Sequence, residues 1–446
     1  MRINRRHFFT AAAATLAAPS ALAAPLSRFG LDAANFGVRP GAVNDQSQVL
    51  QAAIDQAATA RVPLMLAPGV YRASGLRLAS GAALVGVRGA TRLVLSGETA
   101  MLTANKADAI TLTGLTLDGR HITLPANDAL VNLTGASNLR ITDCVIDRAG
   151  GHGVLLIGCA GEVSGTSITN AADTALFSRD GLGLTISGNT IHGSGNGGIR
   201  VWQSQARDDG SSVFDNRISK TFARAGGSGQ NGNAINIYQA NNVVIRGNHI
   251  RDAAFSAIRG NAASSIQIIG NNCAALNEVA IYSEFAFEAA VIADNIVDGA
   301  EVGISVTNFD DGGHLSAVHG NLIRNVGSRR VRTPLSQQGI GIAVEADTTV
   351  SGNTIEGAAN IGIRAGWGTF LRDVAITGNV VRGSNYGVAI SVVPGAGAAV
   401  VSGNMIGGAL RAGVVGMAYK DVATGDLTKG GAEAYPQLKI ADNQIS

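Results

Sequence analysis

Cysteine is scarce in this sequence, with three residues in 446: Cys144, Cys159 and Cys273. Three thiols cannot all pair with one another, so a disulfide framework is excluded as the basis of the fold. Their wide spacing also lacks the close pairs of ligands that are typical of a zinc site. The sequence therefore predicts three buried free thiols near the ends of strands.

The chain begins with a short apolar run, which has the form of an export signal and not of a membrane anchor. Three arginines among the first six residues precede an alanine-rich stretch over 8–18, and 21–23 read Ala-Leu-Ala, the small-x-small form that a signal peptidase needs. Residues 5–9, Arg-Arg-His-Phe-Phe, resemble the twin-arginine signal, whose pathway transports folded proteins. An ordinary secretory signal is the alternative. We predict a signal peptide over 1–23, a partner in the twin-arginine export machinery, a periplasmic or secreted location and no stable membrane anchor.

Charged and aromatic residues are also few, at 15% and 4% of the chain, whereas glycine reaches 59 residues. This composition is unusual for a globular enzyme of this length and is typical of short strands joined by tight turns. Removal of the signal, which holds three of the 34 basic residues, leaves 31 basic against 32 acidic residues. No excess of positive charge remains, so we expect no nucleic acid partner.

A motif containing a Gly-Asn or Asp-Asn pair recurs along the chain, at intervals from 23 residues (Asn248 to Asn271) to 32 residues (Asn321 to Asn353). The alternating apolar residues before each pair predict a strand with one buried face. We expect each asparagine to adopt the left-handed backbone of a sharp corner and the stacked amides to form a hydrogen-bonded ladder. The asparagines are Asn189, Asn216, Asn248, Asn271, Asn295, Asn321, Asn353, Asn379 and Asn404, with a degenerate copy at Asn443 and with Cys144 and Thr166 at the equivalent places of earlier coils.

A second strand precedes each copy of the motif, as in GIRVW (198–202), AINIY (234–238) and VAIYSE (279–284). Each coil thus holds about three short strands and cannot bury its inner face alone, so the coils must stack. Leucine-rich and hexapeptide solenoids have other consensus patterns and shorter periods. The sequence predicts an all-β fold, a single-stranded right-handed parallel β-helix over 24–446.

Residues from about 30 to 70 are expected to cap the amino-terminal end of the solenoid. A predicted helix places on one side the apolar residues Val49, Leu50, Ala53, Ile54 and Ala57. The Phe36-Gly37 start, the helix entry at Ser47 and the strand end Pro68-Gly69-Val70-Tyr71 resemble the capping helix and first coils of pectate-lyase-like proteins. With the coils, the resemblance to the pectin-lyase-like superfamily covers nearly all of the mature chain and implies a fold, not a function. The twin-arginine start joined to these repeats also resembles a family of exported bacterial repeat proteins.

The catalytic motifs of enzymes with this resemblance are mostly missing. Gly151-His152-Gly153 matches the middle motif of polygalacturonases, but no Arg-Ile-Lys follows, and Asn127-Asp128 offers one carboxylate where two are expected. Arg332-Thr333-Pro334 begins like the pectate lyase segment, yet Gln337 stands where its second arginine belongs. The Asp-Pro-His-Asp motif of alginate epimerases is absent. His152 is a candidate catalytic residue on the polygalacturonase resemblance.

Alternation along the strands before the motif predicts two rows of outward residues, spaced about 4.8 Å from coil to coil. One row reads Phe177, Arg200, Asn236, Arg259, Tyr282, Ser305, Ala343 and Arg364. The other reads Arg179, Trp202, Tyr238, Asn261, Glu284, Thr307 and Glu345. Aromatic rings beside arginines offer a platform for sugar rings and their acidic substituents, whereas simple solubilisation of a long sheet is the alternative. The expected substrate-binding residues are Arg179, Trp202, Tyr238, Tyr282 and Arg364.

Two kinds of catalysis fit this region. A lyase needs a base and cations that stabilise a developing enolate, and Arg200, Arg259 and Lys220 are candidates for these roles. A hydrolase needs two carboxylates, and Glu284 and Glu345, two coils or about 9.6 Å apart, are close to the roughly 6.5–9.5 Å spacing of inverting glycosidases. The leading expectation is a lyase, epimerase or hydrolase that acts on an acidic polysaccharide. A non-catalytic glycan-binding or structural envelope protein is the alternative.

Insertions beside the same strands, over 203–212, 220–233, 308–315 and 325–338, are expected to wall a groove. A further insertion over 417–437 is expected to cover the carboxyl-terminal end. No cofactor fingerprint is present, and no Cys/His cluster predicts a metal site. The adjacent acids Asp208-Asp209 and Asp310-Asp311 are candidate ligands for Ca²⁺.

Overall fold

A computed structural model describes residues 30–327 and 337–446. The predicted signal peptide, residues 1–23, lies outside these ranges and stays a prediction. The described chain winds through coils whose short strands stack into three sheets, and each coil contributes to the first, second and third sheet in that order. Neighbouring strands pair in parallel, except in one terminal hairpin. The parallel β-helix that the repeat predicts is therefore confirmed.

The three sheets hold 15, 16 and 15 strands among the described residues. The first sheet consists of Leu76–Arg77, Leu102–Asn105, Ala129–Thr134, His152–Ile157, Thr174–Arg179, Gly197–Asp208, Asn233–Asn241, Ile258–Asn261, Val279–Glu284, Val302–Val306, Ile340–Val344, Ile361–Ala365, Tyr386–Ser391, Ala412–Ala418 and Asp421–Asp426. The second sheet consists of Leu31–Asp32, Leu64–Met65, Ala83–Val85, Thr111–Thr113, Leu139–Thr142, Gly161–Ser164, Thr185–Ser187, Ser212–Phe214, Val244–Arg246, Ile266–Ile269, Glu288–Ala293, His314–His319, Ala346–Ser351, Arg372–Thr377, Ala399–Ser402 and Leu438–Ala441. The third sheet consists of Gly69–Ala73, Thr91–Leu95, Thr116–Asp118, Val145–Asp147, Ser167–Thr169, Thr190–His192, Arg217–Thr221, His249–Ala253, Asn272–Ala274, Ile296–Ala300, Leu322–Val326, Thr354–Ala358, Val380–Arg382, Met405–Gly407 and Gln444–Ile445. Helical segments of the described ranges include the α-helix Ser47–Ala60 and the 3₁₀ turns Ala33–Phe36, Phe309–Asp311 and Ala432–Ala434.

The core is a column of aliphatic side chains that runs through the middle of the coils. In the first sheet, one inward position is aliphatic in eight successive coils, and each of these side chains lies in register with the next: Leu176, Ile199, Ile235, Ile258, Ile281, Ile304, Ile342 and Ile363. All eight are fully buried. Burial of one such side chain contributes about 1.5–3 kcal/mol. The repeat therefore stabilises the fold because it places an aliphatic side chain at the same inward position of each of these coils.

The asparagine ladder is confirmed at the corner between the second and third sheets. From Asn189 to Asn443, each asparagine Nδ2 donates to the Oδ1 of the next asparagine at 2.9–3.0 Å. The same Oδ1 accepts the backbone N–H of the preceding ladder residue. Before the ladder, Thr166 and Cys144 occupy the equivalent corners, and their backbone N–H groups donate to Asn189 Oδ1 and to Thr166 Oγ1.

The predicted backbone of the ladder asparagines is wrong by one residue. None of them has a positive φ, and the left-handed residue is the one that precedes each asparagine, such as Asp294 (φ 57°) before Asn295 and Gly320 (φ 67°) before Asn321. Glycine and aspartate adopt this conformation at low cost. The Gly-Asn and Asp-Asn pairs thus divide two tasks, because the first residue turns the chain and the second links the coils.

The helix Ser47–Ala60 lies at the amino-terminal end of the column. Its side chains Leu50, Ala53 and Ile54 are buried against the first coils, as the pattern predicts. The Asp45 carboxylate accepts the Ser47 N–H at 2.9 Å and satisfies one of the open donors of the first turn. Across the described ranges, no helix is long and apolar enough to cross a membrane.

At the other end, the insertion after 417 folds back as a hairpin. Strand Asp421–Asp426 pairs in an antiparallel manner with Ala412–Ala418, and Leu427 is buried in the core. The hairpin therefore occupies the free edge of the first sheet, which would otherwise expose unpaired backbone groups.

The three cysteines are buried free thiols, as predicted. Burial raises the pKa of Cys144 to about 11 and that of Cys273 to about 12, and it also raises the pKa of Cys159. The thiols therefore stay protonated and pack as small apolar side chains.

Candidate functional site

The outward rows of the first sheet have the register that the sequence predicts. Phe177 pairs with Arg200 and Trp202 pairs with Tyr238, and the pairing continues without a slip to Arg364 at the end of the first row. Strand alternation alone was sufficient for this prediction because a slip of one residue would have turned core side chains outward.

The central part of this outward face is covered by a loop of the protein. Segment 222–232 folds back over the row, where Arg200 Nη2 donates to Asn231 Oδ1 at 2.7 Å and Arg259 Nη1 donates to the Ser228 carbonyl at 2.9 Å. Arg200 and Arg259 are consequently only 5% and 7% exposed. Their guanidinium groups are held by the protein, so they are poorly placed to stabilise an enolate on a polymer.

Lys220 and Arg179 are not part of the same enclosed site. Lys220 is exposed on Arg217–Thr221, a strand of the third sheet, at a corner with φ 53°. Arg179 belongs to the predicted row, but it ends its strand and is exposed. Lys220 and Arg179 therefore lie apart from the other predicted site residues. Their catalytic and binding roles stay predictions.

A line of rings begins on the coil before the platform and crosses the first three coils of the platform. His152, Phe177, Trp202 and Tyr238 make successive edge contacts with centroid distances of 5.4, 5.1 and 5.7 Å. The last two rings line a cavity of about 420 Å³, whose other walls are Gly229, Gln230, Asn236 and Asn261. Two half-open aromatic rings among neutral amides form a surface suited to a sugar ring.

His152 starts this line but is enclosed by the protein. Its side chain is 3% exposed, and its Nδ1 accepts the Thr174 N–H at 3.2 Å. Burial lowers the pKa of His152, and the carboxylate of Asp173, 3.8 Å from Nδ1, offsets only part of this effect. His152 is therefore a neutral core histidine whose Nδ1 already has a hydrogen-bond partner within the protein. Its predicted catalytic role stays untested.

Farther along the same sheet lies a second cavity, of about 370 Å³, which we call the acidic cavity. It is lined by Glu278, Val279, Tyr282, Glu301, Val302, Ser305, Thr307, Asn308, Gln337, Glu345, Arg364 and Trp367. Three carboxylates and one guanidinium thus face one space over an apolar floor. No other charged side chain of the described ranges lines it.

Two of these carboxylates, Glu278 and Glu301, were not among the residues that the sequence predicted. Each immediately precedes a strand of the first sheet, and Val279 pairs with Val302, so the two glutamates lie on adjacent coils. The Glu301 backbone N–H donates to the Glu278 carbonyl at 2.9 Å, which fixes this stacking. A repeated Glu-Val-small-Ile pattern at 278–281 and 301–304 was the signal that could have indicated them.

Glu345 enters the acidic cavity from the other end of the strands. Its carboxylate accepts the Phe309 N–H at 2.9 Å, and its side chain is 8% exposed. Burial raises the pKa of Glu345, although the hydrogen bond from Phe309 and the charge of Arg364 act in the opposite direction. Glu345 thus has the environment of a carboxyl group that holds a proton at higher pH than usual.

Glu284, the predicted partner of Glu345, does not line the acidic cavity. It is 1% exposed and forms a salt bridge with Arg259 at 2.5 Å, and it also accepts a hydrogen bond from Asn261 at 2.9 Å. Burial raises the pKa of Glu284 against the pull of Arg259. Its carboxylate is thus engaged within the protein, and the expected Glu284–Glu345 pair is not assembled around one space.

The remaining predicted binding residues meet at the acidic cavity. Arg364 lies over the ring of Trp367, with its Cζ 5.3 Å from the centroid, and burial lowers its pKa while Glu345 counteracts this effect. Tyr282 lies under Arg259, whose Cζ is 4.9 Å from the ring centroid. Burial, followed by the charge of Glu284, raises the pKa of Tyr282 to about 12. Both rings are half-buried and line the cavity.

The candidate Ca²⁺ ligands are not gathered into a site by the described residues. Both oxygens of the buried Asp209 accept protein hydrogen bonds, and Asp310 and Asp311 are exposed on a 3₁₀ turn. Within the described ranges, no group of three or more His, Cys, Asp or Glu side chains is arranged to hold a metal ion. Calcium binding therefore stays a prediction.

Comparison with known proteins concerns the fold. Residues 129–323 match the family described as "Right handed beta helix region". No curated protein matches the chain in sequence. Pre-mature gene product 12 of bacteriophage phi29 has 16% identity and a TM-score of 0.59, over 90% of this chain and 58% of that chain. This chain thus spans 58% of the length of that protein.

Two enzymes resemble the chain more loosely. The catalytic unit of a GH87 α-1,3-glucanase from Streptomyces thermodiastaticus has 16% identity and a TM-score of 0.45, over 94% of this chain and 68% of that chain. The A-module of a mannuronan C-5 epimerase from Azotobacter vinelandii has 15% identity and a TM-score of 0.41, over 93% and 99%. At these identities the similarity concerns architecture alone. The chain has a right-handed parallel β-helix fold, and the family match covers its central coils.

Proposed function

We propose that this protein binds a polysaccharide along the first sheet and hydrolyses glycosidic bonds in the acidic cavity. The observation that carries the proposal is the meeting of Glu278, Glu301 and Glu345 around one space. The aromatic cavity at Trp202 and Tyr238 lies on the same sheet, a few coils away. A chain of sugars can therefore rest on the rings while one bond reaches the carboxylates.

The three glutamates approach this space from opposite ends of the strands. Glu345 is in line with Thr307 on the neighbouring coil, six positions along the strand from Glu301, which corresponds to about 20 Å of backbone. All three residues line the cavity between these ends, which leaves space for a sugar ring. Glu278 and Glu301, on adjacent coils about 4.8 Å apart, form the opposite wall.

This arrangement separates an acid from a nucleophile or base. Burial raises the pKa of Glu345, which favours its protonated form and suits a proton donor to the leaving oxygen. Glu278 lies 3.5 Å from Arg259 and forms an ion pair with it. Glu278 or Glu301 then attacks the sugar or activates a water molecule, as hydrolysis by paired carboxylates requires.

Hydrolysis is favoured over elimination because the two arginines that the sequence predicts for a lyase are held by other groups of the protein. A polysaccharide-binding protein without catalysis is the second candidate, because the aromatic cavity needs no carboxylate to hold a sugar.

A screen of the mature protein tests the proposal. Neutral polysaccharides (α-1,3-glucan, mannan, xylan, laminarin) and acidic ones (polygalacturonate, alginate) are followed by reducing ends and by absorbance at 235 nm. We expect new reducing ends from at least one of these polymers, without absorbance at 235 nm.

The Glu345→Gln variant should then lose activity by about 10²–10⁴-fold, as loss of a general acid predicts. Glu356→Gln, an exposed glutamate of the third sheet, is the matched control and should retain activity. Absorbance at 235 nm would establish a lyase instead. Binding without cleavage by the wild type would favour the second candidate.

A further inference from the structure

The third sheet carries a cavity that the proposed function does not use. It has a volume of about 370 Å³ and lies on a different sheet from the aromatic and acidic cavities. Two guanidinium groups and one imidazole line it, those of Arg217, Arg251 and His249. Within the described ranges, no carboxylate lines this space. We call it the basic cavity.

The ionisable side chains of the basic cavity are open to solvent. Arg217 and His249 are exposed, and the side chain of Arg251 is 70% exposed. In the part of the chain that the structure describes, the Arg217 side chain has no ion pair and no hydrogen bond. Arg251 uses its Nε, which donates to Asp252 Oδ2 at 2.9 Å. A ligand can therefore reach the Nη groups of both arginines without displacing any part of the protein.

The positive charge of the basic cavity is not balanced by the strands around it. Arg217 lies in register between Thr190 and His249, so neither neighbour on the adjacent coils is acidic. The two neighbours of Arg251 in register are also not acidic, because they are Ser219 and Ala274. The acid beside Arg251, at the end of its strand, does not line the cavity.

Later coils of the same sheet treat their arginines differently. Arg324 forms an ion pair with Asp298 on the neighbouring coil at 2.8 Å. Glu356 then lies in register between Arg324 and Arg382. Opposite charges on neighbouring strands stabilise a sheet, so these coils follow the usual pattern. The absence of such acids from the lining of the basic cavity points to an anionic ligand.

The shape of the basic cavity indicates a ligand larger than a single ion. Ser219 and Ala274 lie on the two sides of Arg251, so a long side chain stands between two short ones and the surface is concave. The volume falls within the range of about 300–1,000 Å³ that is typical of sites for small organic molecules. Thr190 and Asn272, both exposed, add a hydroxyl and an amide group to the lining, and such groups can hydrogen-bond with the hydroxyl groups of a sugar.

We propose that the basic cavity binds an acidic sugar through its anionic substituent, a carboxylate or a sulfate ester. Arg217 and Arg251 lie on adjacent coils and two positions apart along the strand, so their backbones are about 8 Å apart. Guanidinium groups bind carboxylates and similar oxyanions through paired hydrogen bonds, and two arginines at this spacing can hold one substituent between them. The inference goes beyond the proposed function, because it adds a glycan site on another face of the solenoid.

Isothermal titration calorimetry of the full mature protein tests the site. The probes are trigalacturonate, its carboxyl-reduced neutral form, a sulfated galactotriose and inorganic sulfate, and chromatography verifies that the trisaccharides stay intact. We expect one of the acidic trisaccharides to bind at least tenfold more tightly than the neutral form and than inorganic sulfate. The tighter of the two acidic probes identifies the substituent. Added salt should weaken this binding, because both arginines are exposed.

Two variants assign the binding to the basic cavity. Arg217→Gln and Arg251→Gln each remove one guanidinium and should weaken binding of the acidic trisaccharide at least tenfold. Arg324→Gln is the matched control, since it removes the same charge from an exposed arginine of the same sheet that lies outside the cavity. The control should bind like the wild type. Circular dichroism and urea midpoints verify that each variant is folded.

Four results would overturn the proposal. The acidic trisaccharides bind no better than the neutral one, both cavity variants bind unchanged, Arg324→Gln weakens binding as much as they do, or inorganic sulfate binds as tightly as the sugars. The proposed hydrolysis is judged separately by the reducing ends that Glu345→Gln produces, and neither cavity arginine takes part in that reaction.

Discussion

We expect the asparagine ladder to make a large and local contribution to stability, and Asn295 is the position at which to measure it. Its side chain is fully buried and makes four hydrogen bonds. Its Nδ2 donates to Asn321 Oδ1 and to the Ile268 carbonyl, and its Oδ1 accepts from the N–H and the Nδ2 of Asn271. Asn295→Ala removes all four.

The expected loss of stability depends on the polar groups that lose their hydrogen-bond partner in this variant. The buried Asn271 N–H is left without its acceptor, which costs about 1–3 kcal/mol, and loss of the other bonds adds about 1 kcal/mol. We therefore expect Asn295→Ala to lower the free energy of unfolding by about 2–4 kcal/mol. Backbone strain makes no contribution, because Asp294 and not Asn295 has the left-handed conformation.

Urea unfolding followed by circular dichroism measures this effect as a lower midpoint. Asn272→Ala is the matched control, because Asn272 is exposed on the third sheet, one residue after a ladder asparagine. Its effect should remain within about 0.5 kcal/mol. If the two variants shift the midpoint equally, the ladder does not contribute what its hydrogen bonds imply.

Three further predictions concern a corner, a buried acid and export. Gly320→Ala should lower the urea midpoint more than Gly352→Ala does. Both glycines have a left-handed backbone, but only at Gly320 would the new methyl group meet another atom, Asp294 Oδ1 at 2.3 Å. Equal losses of stability would contradict this reasoning. Folding raises the pKa of Glu345 above its ordinary value of about 4.5. The protonated form therefore favours the folded state at low pH, and this stability is lost as the pH rises through the raised pKa. Glu345→Gln should accordingly raise the unfolding midpoint at pH 7 but not at pH 4, and an equal gain at both values would refute the shift. Replacement of the paired arginines of the signal by lysine should leave precursor in the cytoplasm, whereas normal export would indicate the general secretory route.

The fold was predictable because the alternation of apolar and polar residues in each copy of the repeat determines how neighbouring strands align. A strand that places Ile281 inward must place Tyr282 outward, and the same alternation in eight coils determines both rows from the sequence alone. The left-handed corner was assigned to the wrong residue because asparagine and its predecessor both tolerate that conformation. Only the backbone distinguishes them.

The site was predictable only in part. Alternation gives the direction of a side chain but not what covers it, so the burial of Arg200 and Arg259 under segment 222–232 was missed. Glu284 and Glu345 share a row, yet an ion pair with Arg259 withdraws one of them from the cavity. These hydrogen bonds and ion pairs join segments that are distant in sequence, and the periodicity of the strands contains no information about them.

The buried cysteines have a consequence for where this molecule can mature. Their thiols are protonated and enclosed, so glutathione, molecular oxygen and disulfide isomerases find no thiolate with which to react. The finished shape is the same in a reducing and in an oxidising compartment. Folding of this chain therefore needs no oxidant and no disulfide isomerase.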